Sequence, residues 1–113
     1  MAVTDSVTGK VLATPTIGDS PDAAGFDAKY KVAFSSNGGD GTLSVVDTGA
    51  PKYPTIQTVK TTKGARTMAL DPTTSRVYLT TAEFGPAPAA TPAQPHPRPS
   101  VLPGSFTVLV VER

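Results

Sequence analysis

"DAAGFDAKYKVAFSS" (Asp22–Ser36) and "RTMALDPTTSRVYLTT" (Arg66–Thr81) carry one pattern written twice, and their match decides the fold. With one extra residue allowed in the second turn, Phe26 and Asp27 meet Leu70 and Asp71. Lys31, Val32 and Phe34 then meet Arg76, Val77 and Leu79, so the offset is 44 before the turn and 45 after it. A period of this size marks a repeat architecture, in which one unit cannot bury its apolar face alone and stacks on its neighbour.

The flanks extend the match. "TGKVLATPTIGDSP" from Thr8 faces "KYPTIQTVKTTKGA" from Lys52, each a β-rich stretch leading to a turn at Gly18 or Gly64. "GTLSVVD" from Gly41 resembles "GSFTVLVVE" from Gly104, now at an offset of 63, which leaves an 18-residue surplus in the second unit. The surplus falls on "FGPAPAATPAQPHPRPSVLPG" (Phe84–Gly104), which holds seven of the chain's twelve prolines. That run therefore reads as a loop inserted between two strands and not as a linker between domains.

Each unit is expected to form four short antiparallel strands, rich in Val, Thr, Ile, Tyr and Phe and bounded by Gly, Pro, Asp and Asn. In the second unit these are about Ile56 to Thr62, Arg66 to Leu70, Arg76 to Glu83 and Ser105 to Glu112. Helical periodicity is absent. The expected fold is all-β: two four-stranded β-propeller blades within a single segment 1–113, blade one at 8–47 and blade two at 52–112, with the proline-rich insertion at 84–104.

The same residues resemble the bacterial YVTN-type propeller repeat. Tyr78-Leu79-Thr80-Thr81 stand at its Tyr-Val-Thr-Asn positions, as do Ala33-Phe34-Ser35-Ser36 in the first unit; Gly18 and Pro21 match the glycine and proline that open the preceding strand. On this alignment neither unit keeps the asparagine in register, and Gly64 is followed by Arg66 without a proline. The resemblance implies a propeller fold and leans toward a periplasmic or secreted bacterial parent. It allows two functions: a non-enzymatic scaffold or binding module, or part of a lactonase-like or cofactor-dependent enzyme with its site in the central channel.

Two blades do not close a ring. In "FTVLVV", Phe106, Val108 and Val110 point one way and Leu109 and Val111 the other, so the strand needs apolar cover on both sides. Thr4 and Asp5 resemble the end of "SVVDT", as if the chain begins inside a strand of a preceding blade. Either the chain self-associates, with three copies giving six blades or four giving eight, or it belongs to a longer propeller.

Composition narrows the chemistry. The chain of 113 residues has a formal charge of +1 and no clustered basic face, which argues against nucleic acid. It has no cysteine, one histidine, and no apolar run long enough for a helical membrane span, so no membrane partner is expected. No catalytic or metal-ligating set and no cofactor motif is present. His96 stands alone in "PHPRP", while Asp27 and Asp71 read as turn caps.

"NGGDG" (Asn37–Gly41) offers oxygens and backbone N–H groups in the manner of a cation or phosphate loop, but also reads as a hairpin turn. The spacing Pro92-x-x-Pro95 with Arg98 beyond it is superficially that of an SH3 ligand, against the simpler reading of a semi-rigid loop. In an antiparallel blade, the loop 84–104 emerges at the same end as Gly18–Ser20, Asn37–Asp40 and Lys63–Ala65. The expected binding face is there, at Asp19, Asn37, Asp40, Lys63, Arg66, His96 and Arg98.

Overall fold

Aspartate at the end of a strand builds the turns. Asp27 Oδ1 accepts the N–H groups of Lys29 and Tyr30 at 2.8 and 3.2 Å, and Asp71 accepts from Thr73 N–H at 2.8 Å and from the Thr74 hydroxyl at 2.6 Å. Asp5 and Asp47 do the same two and three residues ahead, at Val7 and Thr8 and at Gly49 and Ala50. Such side-chain-to-backbone bonds compete with strand pairing and reverse the chain. They also hold carboxyls below their ordinary value: Asp5 chiefly through Thr8 N–H, Asp71 chiefly through the Thr74 hydroxyl.

The computed structural model describes all residues, Met1–Arg113. Between the turns run β1 (Val3–Thr4), β2 (Val11–Ala13), β3 (Pro21–Asp27), β4 (Val32–Asn37), β5 (Thr42–Asp47), β6 (Thr55–Lys60), β7 (Thr67–Asp71), β8 (Arg76–Thr81) and β9 (Thr107–Val111). The protein is all-β and every pairing is antiparallel. The strands form a β1-β2 hairpin, sheet one in the order β3-β4-β5-β6, and sheet two in the order β7-β8-β9.

Register corrects the alignment made on sequence. Phe26 pairs with Ala33 and Leu70 with Val77, so Ala33 and not Val32 is the counterpart of Val77. The offset stays at 44 through the turn, and the positive-φ residues Lys31 (53°) and Ser75 (60°) confirm it. Asn37 is then the counterpart of Thr81. A one-residue slip matters because it exchanges the two faces of a strand.

In the third strands, Val45 pairs with Phe34 and Val110 with Tyr78, so the offset rises to 65 and the insertion is 21 residues long. The sequence expectation also gave Ile56–Thr62 to the second unit. Thr55–Lys60 instead pairs with β5 as the outer strand of sheet one. The repeat is the same, but its units begin one strand later than the sequence reading placed them.

β1-β2 copies the β5-β6 hairpin. Val3 faces Ala13 and Thr4 faces Val11, with a register shift between Val3 and Thr4; Val45 faces Gln57 and Val46 faces Thr55, with the shift at the same place. A bulge of this kind is a built feature that bends the strand.

The core lies between the sheets. Val32, Phe34, Leu43 and Val45 of sheet one meet Val77 and Leu79 of sheet two, with Ala65 beside them and Met68, Leu70, Leu109, Val111 and Val59 at the margin. β3 and β7 run against each other along one side. Gly25 is what lets them approach, since a Cβ there would sit 3.1 Å from Met68 Cε.

Candidate functional site

Three loops meet at one end of the sheets. Gly38 N–H donates to the Ser20 carbonyl and Gly39 N–H to that of Asp19, both at 3.1 Å, while Gly64 N–H donates to the Gly38 carbonyl at 2.8 Å. Gly41, at φ +68°, donates to the Asn37 carbonyl at 3.1 Å. These glycine amides, which a phosphate loop would keep free, are spent: those of Gly38, Gly39 and Gly64 join loops and that of Gly41 closes its own turn. The Asn37–Gly41 stretch is a turn that carries the neighbouring loops.

Asn37 lies beneath the turn. Fully buried, it accepts the Ser35 hydroxyl at 3.1 Å and donates its amide to Thr42 Oγ1 at 3.0 Å and Ser44 Oγ at 2.9 Å. Ser44 in turn accepts Gly18 N–H at 3.3 Å. Its place in the expected binding face is therefore structural. Asp40 is similarly engaged: Oδ1 takes the Thr42 hydroxyl at 2.7 Å and Oδ2 takes Asp19 N–H at 3.0 Å. Those two donors, the hydroxyl foremost, hold its carboxyl below the ordinary value.

Asp19 is exposed and its Oδ1 accepts Ser20 N–H at 2.9 Å. Lys63 is exposed and contributes its carbonyl to the Thr81 hydroxyl at 3.4 Å. The arginines are differently placed. Arg66 lays its aliphatic stem on Gly38, where an added Cβ would come within 2.9 Å of Arg66 Cβ. The Ser36 hydroxyl donates to the Arg66 carbonyl and fixes the backbone from which the side chain leaves.

Arg98 comes from the proline-rich insertion. The base of that loop is a short ladder in which Gly85 N–H donates to the Ser100 carbonyl and Leu102 N–H to the Glu83 carbonyl, both at 2.8 Å, with Phe84 opposite Val101. Thr91 and Gln94 exchange a pair of backbone bonds at 3.0 Å nearer the tip. The result is an open cleft of about 610 Å³ whose walls include Ser20, Arg66, Phe84, Arg98 and Pro99.

Arg66 and Arg98 thus face one cleft from different elements, and neither has a carboxylate within ion-pair distance; the chain's one ion pair is Arg76 with Glu112. Guanidinium groups pair with carboxylates and phosphates, and Asp22 puts one carboxylate of the chain's own on the same cleft wall. His96 is exposed and does not line the cleft. The sequence reading put Ser20 and Phe84 on this face without naming them as candidates, and it did not place Asp22 there, although Asp22 also lines the cleft.

No three His, Asp or Glu side chains come together in a geometry that would hold a metal ion. No family model, curated protein or solved structure matches the chain.

From Pro86 to Gly104 every residue except Pro97 is exposed, so the insertion adds little to the core. Replacing residues 87–98 with a tight turn that spares the Gly85–Ser100 ladder is expected to leave unfolding cooperative, with stability changed by less than about 1 kcal/mol. Urea denaturation followed by circular dichroism checks this. Loss of the folded baseline would show that the loop supports the core.

Proposed function

We propose that the chain is a β-propeller segment that acts as a scaffold and binding module, associating through its sheet faces and presenting the arginine cleft to partners. One observation carries this reading. Val108 and Val110 occupy the positions of Leu43 and Val45 in the repeat, and Leu43 and Val45 are 0% and 9% exposed because sheet two covers them. Val108 and Val110 are 49% and 52% exposed, with Phe106 beside them at 68%.

The far face of sheet two is thus made like a face that elsewhere in the chain is covered by a sheet. On the other side of the molecule Phe26, 58% exposed, holds the position that Leu70 fills at the interface. Apolar patches of this kind invite association. Because the two faces are complementary and not identical, copies would join head to tail and close into a ring or continue, as blades do. The corrected register supports the family likeness too, since Phe34-Ser35-Ser36-Asn37 now falls on the Tyr-Val-Thr-Asn positions and keeps the asparagine.

The partners are further copies, in a trimer or tetramer of two-sheet units, or further sheets of a longer propeller. Sedimentation equilibrium tests the self-association. Assembly at micromolar concentration is expected, and Val108→Asp should return the protein to a monomer by burying a charge in the contact. A wild-type chain that stays monomeric while unfolding cooperatively overturns the reading.

A further inference from the structure

At the opposite end of the seam between the sheets lies a second cleft of about 320 Å³, which nothing so far explains. Its floor is apolar, formed by Val32, Phe34 and Val45 of sheet one and Val77 and Val111 of sheet two. Asp27 and Ser75 enter from the wall, 2% and 7% exposed. Asp27 Oδ1 is occupied by its own turn, at Lys29 and Tyr30. Asp27 Oδ2 and Ser75 Oγ are both buried without a completed hydrogen bond.

The Ser75 hydroxyl faces the carboxylate closely enough to be the main reason that its pKa lies below the ordinary value. That hydroxyl completes no hydrogen bond to Oδ2, and a stronger donor, above all a cationic one, lowers the cost of burying that oxygen. Two cations already stand at the mouth, Arg113 at 4.2 Å and Lys29 at 5.1 Å from the Tyr30 ring centroid, so a cationic ligand competes with them for Asp27.

We propose that this cleft is a binding site for a small organic cation, a primary amine or amidinium on a compact apolar body. The charged head donates to Asp27 Oδ2 and to the Ser75 hydroxyl, and the body lies between the valines and Phe34. The volume is at the lower end of small-molecule sites, and a few convergent polar groups in an apolar cleft are the usual composition of one. The cleft borders β9, the free edge of sheet two, where sheet one carries β6 at the equivalent place, so the test is made on the unassociated chain.

Benzylamine, with benzyl alcohol as its neutral counterpart, provides the test. Titration into ¹⁵N-labelled protein is expected to give saturable shifts at Lys29, Tyr30, Ser75 and Val77 for the amine, with the alcohol at least tenfold weaker. Asp27→Asn should remove that preference. Ile56→Trp, at the exposed rim, should block both ligands without touching the core, and keeps the test decisive if Asp27→Asn fails to fold. Equal affinity for amine and alcohol, or shifts that never saturate and ignore Ile56→Trp, overturns the proposal and leaves a bound water as the partner of Asp27.

Discussion

Leu79→Ala is expected to lower the unfolding free energy by about 3 kcal/mol, the middle of the range for a leucine removed from a core. Leu79 is 0% exposed and sits on β8, between Met68 and Leu109 on its neighbouring strands and facing sheet one. Strand backbones on both sides are hydrogen-bonded, so the cavity has little freedom to collapse. A domain of this size is stabilised by only about 5–15 kcal/mol in total. Val110→Ala, on the same sheet but on its exposed face, should cost less than about 1 kcal/mol in a monomer. Urea denaturation of both variants, below the concentration at which copies associate, gives the comparison. Equal losses would mean that the seam between the sheets is not the core.

Asn37→Ala should cost roughly 3 kcal/mol, although it removes no large apolar group. Its amide and carbonyl join the hydroxyls of Ser35, Thr42 and Ser44, and through Ser44 the network reaches Gly18 N–H. Each buried polar group left without a partner costs about 1–3 kcal/mol, partly recovered where water enters. The damage should be local as well as global. Amide exchange at Gly18 and Asp19 is expected to quicken more than at Leu79, because the loop cluster loses its support before the seam does. Uniform quickening across both sheets would show that Asn37 has no special hold on the loops.

The sequence made the all-β fold readable because apolar alternation, aspartate turns and a repeated block all agree. It misplaced the register by one residue because the false alignment matches Val32 with Val77 and Phe34 with Leu79, whereas the true one sets Val32 opposite Arg76 and Ser35 opposite Leu79; the pairing of Phe26 with Ala33 and of Leu70 with Val77 decides between them. The phase of the repeat was hidden for a related reason. A strand such as Thr55–Lys60 looks the same whether it opens one sheet or closes another, and its partner is fixed by tertiary hydrogen bonds alone.

The gathering of the loops at one end was legible. Topology places the loops at one end, and the structure brings Arg66 and Arg98 into one cleft there. The residue types could not tell a side chain that faces outward from one spent internally, so Asn37 and Asp40 were counted with the arginines. Asp27 is the reverse case: its turn-capping role was plain from spacing, while its second oxygen, buried against the other sheet, was not.

The short β1-β2 hairpin fixes more than its own geometry. Asp5 stands in the repeat where Asp47 stands, and Glu112, one residue beyond Val111, stands there too. A fusion that carries one copy through Glu112 and continues with Ser6 of the next would therefore keep every strand in step. Like a tile whose left and right edges match, such a sequence is expected to join end to end, with the length of the array set by the number of copies fused.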